Sequence, residues 1–558
     1  MIPRQIVVQP GDFPMARTAS FRSLARVMTA AFLAERQRCS PAHALEVIQE
    51  LSSRKTSHAM SRRRFLLGAG ATGATLAMGT MTGLPERATA AKPSPSPFSV
   101  GIVGAGLAGL ACADTLTTRG IRATIYEATD RAGGRCYSLR DRFPGQIAER
   151  GGELIDTLHT TMMGYAKRFR LRLEDVNKEP GEVFYHFYRQ RYSEAAVIAE
   201  FRDFVSVMRI DLHRLSKEVT AHSHTPDDVT LDRTSLQAYL EGRNGAGVPA
   251  GPVAKAAIIA AYEAEYGLRA ADQSCLNFLL FIHADRRSKF TPFGASDERY
   301  HLIDGNDGIT DGLANELSRQ ITYNSRLMRV RKSSNGQIEL TFQKGPPVPH
   351  DVVVLAIPFT ILREVELDAN LVIPAHQLNT IRELGYGTNA KMMIGFSSRP
   401  WQTLGGNGTA YTNLQNVQTT WETNPTLGSK NRSILTDYSS GARGVQLDLD
   451  APQAEAQHVL EDLNRVYPGA LGAATVRDGK YLVHLEHWPS NPLMKGSYTC
   501  YRPGQFTTMA GLEGIPADNL FFAGEHANSF YEWQGFMEGA ALSGIAVARA
   551  ILEKTKTR

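Results

Sequence analysis

An apolar run, Phe98 to Val103, leads directly into Gly104-Ala105-Gly106-Leu107-Ala108-Gly109, and nothing else in the chain restricts its fold as much. Strand, glycine turn and helix start in that order make a β-α-β opening. The first glycine permits the tight turn, the second lets the backbone approach a ligand, and the third lets helix pack on strand. Free N–H groups at the helix start then suit a diphosphate. The next strand, Ala123 to Tyr126, ends on Glu127, a carboxylate placed to hold a pair of ribose hydroxyls. Flanking strand, following helix and spaced acid together turn a weak glycine pattern into a dinucleotide fingerprint.

Roughly 400 residues later, Leu520-Phe521-Phe522-Ala523 runs into Gly524-Glu525 and reads as the other half of the same site. Just beyond the ribose acid, Asp130-Arg131-Ala132-Gly133-Gly134-Arg135 puts paired glycines between two arginines. Arg131 and Arg135 are candidate cofactor contacts. Arg135 can offer a planar fork to phosphate oxygens, and Gly133 and Gly134 allow close backbone approach.

The run from Val103 to Arg135 resembles the flavin amine oxidase family, which includes monoamine, polyamine and L-amino-acid oxidases. The resemblance implies FAD rather than a nicotinamide, expected to be non-covalent because Ser497 stands where some members carry a flavin-linking cysteine. It also implies an α/β fold of two domains, a Rossmann-like FAD-binding domain with an interleaved α+β substrate domain. Residues 98–156, 302–358 and 501–558 are expected to build the first, and 157–301 (mainly helical) and 359–500 (mainly β) the second. Leu327 to Val330 and Ile338 to Phe342 read as a hairpin around Asn335-Gly336, and Val352 to Ala356 as a buried strand. Asp232 is placed to cap a helix over Ser235–Leu240.

Charge argues against nucleic acid. The formal +5 is concentrated in residues 1–90, with 12 Lys+Arg against 5 Asp+Glu, which leaves the remainder near −2. Within that leader, Ser61-Arg62-Arg63-Arg64-Phe65-Leu66-Leu67 matches a twin-arginine signal. A Gly/Ala/Thr-rich stretch follows, and Ala88-Thr89-Ala90 offers small residues for cleavage. The expectation is export of a folded protein by the twin-arginine machinery to the periplasm or beyond. Residues 1–60 are an extension of unread role, with Met60 an alternative start, and 91–97 are a Pro/Ser linker. Five cysteines show neither CxxC nor an even framework, and metal-ligand spacing is absent, so no metal is expected. A homodimer is left open.

The resemblance assigns site residues one by one. Gly104, Gly106, Gly109, Glu127, Val330, Gly524, Glu525 and Met537 are implied to hold FAD, Glu525 near the ribityl chain. Gly535-Phe536-Met537-Glu538-Gly539 is implied to aim a helix N-terminus at the flavin, whose reduced form is anionic. Tyr498 and Phe536 match the two aromatic walls that steer the amine. Lys391 matches a lysine that holds a water by the flavin and assists oxygen. Two departures carry information. Ser497 stands where some members have a flavin-linking cysteine, and Cys500 is out of step. Leu154 stands where many L-amino-acid oxidases carry a carboxylate-binding arginine; Arg269 or Arg299 are candidate replacements. Glu153, Asp156, Glu263 and Glu265 are acids that could favour a basic tail. The expected substrate is therefore a primary amine oxidised by O2 to an imine, giving H2O2. The alternatives are an L-amino-acid oxidase for lysine or arginine, a decarboxylating monooxygenase, a flavin dehydrogenase or desaturase that does not use O2, and a non-catalytic flavin binder.

Overall fold

The computed structural model describes residues 27–28, 30–31, 33–35, 40–45, 98–176, 180–216, 218–283, 298–424, 432–527 and 534–556. The twin-arginine motif and the Pro/Ser linker lie outside them. Five short strands form one parallel sheet, in the order Leu520–Phe522, Val352–Leu355, Val100–Val103, Thr124–Tyr126, Ile321–Thr322. Val100–Val103 and Val352–Leu355 are buried at every position, as strands covered on both faces must be. Chain segments from the beginning, middle and end thus lie side by side, with their C-terminal ends at one edge. That edge is where open α/β sheets bind ligands.

Two helices cover this sheet closely. Leu107–Thr117 follows the glycine turn, and Met537–Lys556 packs across it. Contact is tight because Gly544 faces Ala108; a Cβ there would stand 2.0 Å from the Ala108 carbonyl oxygen. The hairpin expected around Asn335-Gly336 forms as Leu327–Lys332 against Ile338–Phe342 in a four-stranded sheet.

A seven-stranded sheet makes the floor of the second region, in the order Val483–His487, Ala390–Phe396, Ser433–Ser439, Thr419–Glu422, Gly406–Thr412, Glu182–Phe187, Gln190–Tyr192. Its last two strands come from the stretch whose periodicity reads as helical. They are joined by Tyr188 and Arg189, both left-handed (φ 53° and 64°), a hairpin turn made without the usual glycine or asparagine. The rest of that stretch is helical, including Glu194–Arg214 and Pro252–Tyr266.

Asp232 is not a helix cap. It ends the helix Pro226–Asp232, and Ser235 caps Leu236–Leu240 by accepting from Ala238 N. The buried Asp232 carboxylate instead accepts from Thr507 N and Oγ1 and from Ser274 Oγ, tying three distant segments together. Cys112, Cys136, Cys275 and Cys500 are free and buried.

Candidate active site

One cavity starts at the edge of the parallel sheet and ends over the seven-stranded sheet. Gly104, Gly106, Glu127, Arg131, Gly133, Gly134, Arg135, Gly524, Glu525 and Met537 line it, and so do Lys391, Tyr498 and Phe536. Two sequence-assigned contacts do not. Val330 is fully buried in its strand, paired with Leu340, and Leu327 lines the cavity instead. The strand has a register irregularity between Leu327 and Arg329, which moves the cavity-facing position three residues upstream. Gly109 also stands back from the cavity: a Cβ on it would lie 1.9 Å from the Gly104 carbonyl oxygen, so its job is helix-on-strand contact.

Gly106 has the opposite character. A Cβ there would meet nothing within 4 Å, and the helix it opens has neither a side-chain cap bond nor an acid in its first turn. The first N–H groups therefore stand ready for an anion. Glu127 braces the turn: Oε2 accepts from Ala105 N at 2.8 Å, and Oε1 from Thr129 N and Oγ1. Arg131 lines the cavity but folds its guanidinium back on the glycine turn, donating to the carbonyls of Ala132 and Gly134. Arg135 reaches across the molecule to the Ser497 carbonyl and to Glu525 Oε1 at 3.1 Å. Glu525 Oε2 accepts from Thr499 Oγ1 and Gly535 N, fixing the approach to the last helix. His526, fully buried, packs tilted against Phe359 with ring centroids 4.1 Å apart, and both its ring nitrogens lack a hydrogen-bond partner among the described residues. Burial pushes this imidazole down to about 4. Open space at Gly106, an uncapped helix start and an orphaned buried imidazole in one cavity fit a dinucleotide cofactor.

At the far end Lys391 is 4% exposed, and its ammonium directs three N–H bonds to the Glu149 carbonyl (2.9 Å), the Gly151 carbonyl (3.0 Å) and Glu153 Oε2 (2.6 Å). The other oxygen of Glu153 accepts from Trp421 Nε1 at 2.8 Å. Tyr438 bonds Tyr498 hydroxyl to hydroxyl at 3.2 Å, and the Tyr498 hydroxyl donates to the Ala264 carbonyl. Phe536 meets the His159 ring edge-on at 5.4 Å. Trp421, Tyr438, Trp488 and His526 are lining residues that no local motif singles out. Gly152 makes room for Met537, whose sulfur would be 2.8 Å from an added Cβ.

The glycine turn at 151–152 rests on a buried acid. Glu149 accepts from Asn306 N and Ser138 Oγ, while Asn306 Nδ2 donates to the carbonyls of Gly152 and Glu153. Burial raises the Glu149 carboxyl to about 7. Its folded pKa thus exceeds the unfolded 4.5, so the folded state binds the extra proton between these values and stability falls as pH rises through that window. Glu149→Gln is expected to remove a loss of about 3 kcal/mol between pH 4.5 and 7. Urea unfolding at pH 5 and pH 8 checks this; equal pH slopes in variant and parent would refute it.

Five other sequence candidates lie away from the cavity. Asp156 is buried and accepts from Glu298 N. Arg269 pairs with Asp272, and Arg299 with Asp175. Glu263 accepts from Ala270 N and Gln418 Nε2, and Glu265 is buried in its helix. Cys500 Sγ sits by Asn277, while Ser497 Oγ donates to Asn389.

The flavin-containing amine oxidoreductase family model matches residues 107–552. The chain belongs to that family. Its cofactor is FAD, and it is an oxidoreductase of the amine or amino-acid oxidase type. Among curated relatives of this flavin amine oxidase, the putative L-amino-acid oxidase YobN of Bacillus subtilis is 24% identical over 82% of this chain and 95% of the relative. An L-amino acid oxidase of Bothriechis schlegelii is 22% identical over 82% and 91%. Among solved structures, cyclohexylamine oxidase from Brevibacterium oxydans superposes with TM-score 0.69 at 18% identity, and putrescine oxidase bound to putrescine with TM-score 0.66 at 19%. Each covers 82% of this chain and 99% of the other. They show the fold: a mixed α/β flavoprotein with a parallel cofactor sheet.

Proposed function

We propose that this chain is an exported oxidase of a primary amine lacking an α-carboxylate, using non-covalent FAD and O2 and releasing H2O2. Bound FAD supplies the two-electron acceptor that converts amine to imine; hydrolysis then gives aldehyde and ammonia. Gly104, Gly106, Glu127, Gly133, Gly134, Arg135, Gly524, Glu525 and Met537 would hold it. Tyr498 and Phe536 shape the amine end, together with Tyr438 and Trp421, and exclude water from it. No side chain is needed as a strong base if the amine enters neutral. Ser497, with Cys500 turned towards Asn277, supports the absence of a covalent link.

The carrying observation is the charge of the cavity among the described residues. Its lining arginines are Arg131, Arg135 and Arg326; the first two are engaged as above, and Arg326 pairs with Glu364. Leu154 is a lining residue, and the cation at the amine end, Lys391, is already paired with Glu153. A substrate carboxylate would find no unengaged cation among the described lining residues and would be costly to bury, and Glu298 adds an acid to the lining. The names of the curated relatives favour the second reading, an L-amino-acid oxidase.

Peroxide release separates the two on matched pairs, lysine with cadaverine and arginine with agmatine, each differing only by the carboxylate. The expected result is peroxide from the diamine and from agmatine alone. Peroxide from the amino acids alone would overturn the reading in favour of an L-amino-acid oxidase.

A further inference from the structure

Hydrogen-bond direction at the amine end follows from where one helix stops. Pro252–Tyr266 ends because Gly267 turns left-handed at φ 79°, which leaves the Ala264 carbonyl among the last ones, beyond the reach of a helical N–H. Asn389 Nδ2, at 2.9 Å, and the Tyr498 hydroxyl, at 3.1 Å, take that place. A carbonyl can only accept, so Tyr498 is the donor. A phenol has one proton. With that of Tyr498 spent on Ala264, the 3.2 Å contact between the two hydroxyls has to run from Tyr438 to Tyr498. Both phenol protons are thereby committed within the protein, while hydroxyl oxygens keep the capacity to accept.

The neighbouring donors are committed too. All three N–H bonds of the Lys391 ammonium go to the Glu149 carbonyl, the Gly151 carbonyl and Glu153. Trp421 Nε1 donates to Glu153 Oε1, and Trp488 Nε1 to the Arg150 carbonyl at 3.0 Å. Tyr438, Tyr498, Lys391, Trp421 and Trp488 line the same cavity. Among the described side chains, its amine end therefore has a single polarity, with oxygens that accept and every N–H and O–H already given away.

We propose that Tyr438 and Tyr498 are specificity-determining residues that keep the amine end acceptor-only, so that it takes N–H donors and turns away amines carrying a carbonyl oxygen beside the reacting carbon. This rests on the placement of the amine in the proposed function, and it reaches further than charge. A carboxylate is refused because its charge goes unpaired. A neutral carboxamide, ester or ketone is refused because its oxygen gives up hydrogen bonds to water and meets no side-chain donor in return. The substrate class is then an amine with plain hydrocarbon next to the reacting carbon, whatever its far end carries.

The test uses two ligands with no C–H bond on the carbon that bears the amine. Neither can be oxidised, so the test can fail while amines still release peroxide, and can succeed if they do not. One is α-aminoisobutyramide; the other is its isostere with isopropyl in place of the carboxamide. Dissociation constants are read from the absorbance change of bound FAD in the purified holoenzyme. The parent is expected to favour the isopropyl amine. Tyr498→Phe keeps the ring but releases the Tyr438 proton, and should move the ratio of constants about fivefold towards the carboxamide, the worth of one hydrogen bond. Adding Tyr438→Phe removes the released donor and should return the ratio to that of the parent, a reversal that altered packing alone would not produce. A parent that favours the carboxamide, a ratio unmoved in Tyr498→Phe, or the same shift in the double variant would each overturn the proposal.

Discussion

Replacing Lys391 by methionine is expected to slow reaction of the reduced enzyme with oxygen about a hundredfold, the usual cost of losing one preorganised electrostatic group. Reduction by amine should fall far less. The geometry makes this experiment harder to read than the sequence alone implies. The ammonium is bound to two backbone carbonyls and to Glu153, and ion-paired residues of 5% and 10% side-chain exposure are not removed one at a time without cost. Lys391→Met leaves the Glu153 carboxylate buried beside Trp421 with its charge unpaired, a penalty of about 3–5 kcal/mol. Slowness of the single variant therefore does not separate lost oxygen chemistry from lost stability. The double variant Lys391→Met, Glu153→Gln removes that charge while keeping an acceptor for the Trp421 indole. It should regain most of the thermal stability yet stay slow towards oxygen in stopped-flow reoxidation. If oxygen reactivity returns together with stability, Lys391 is a structural residue and its assigned role is wrong.

What could be read from the chain and what could not divide along sequence separation. The turn from Gly104 to Gly109, its flanking strand and Glu127 form a local unit, and the bond from Ala105 N to Glu127 spans only 22 residues. Arg135 with Glu525 spans 390, Lys391 with Glu153 spans 238, and Trp421 with Glu153 spans 268. Periodicity and motif spacing carry no information at that range; the sheets that bring these residues together supply it. Arg135 was a good cavity residue for a partly different reason, since its fork closes on the far half of the site as well as facing the ligand space. Leu327 rather than Val330 faces the cavity because the strand carries an irregularity between Leu327 and Arg329, which no sequence spacing announces. Arg131 does line the cavity, but its guanidinium also donates to the carbonyls of the turn it was expected to serve. Asp232 failed because a serine three residues on was the better cap, freeing the acid for a buried junction.

The last two glycines of the fingerprint should give opposite phenotypes on the same substitution. Gly109→Ala places a methyl 1.9 Å from the Gly104 carbonyl oxygen and 3.3 Å from Ile102 Cγ2, both belonging to the strand and turn that the helix covers. Neither backbone can yield without lifting Leu107–Thr117 from the sheet, so the apoprotein itself should lose about 3 kcal/mol, the upper range for overpacking a tight core. Gly106→Ala adds the same methyl at φ −76°, an ordinary conformation for alanine, with no protein atom within 4 Å. Its apoprotein should unfold at the parent temperature. The methyl projects into the ligand space at the helix N-terminus, so FAD retention should fall, read as the 450 nm to 280 nm absorbance ratio after dialysis. Holding both variants as apoprotein separates the effects: melting ranks Gly109→Ala lowest, and flavin reconstitution then ranks Gly106→Ala below the parent at equal fold. Flavin retention by Gly106→Ala equal to the parent's would mean that the open space at Gly106 is not where the diphosphate lies.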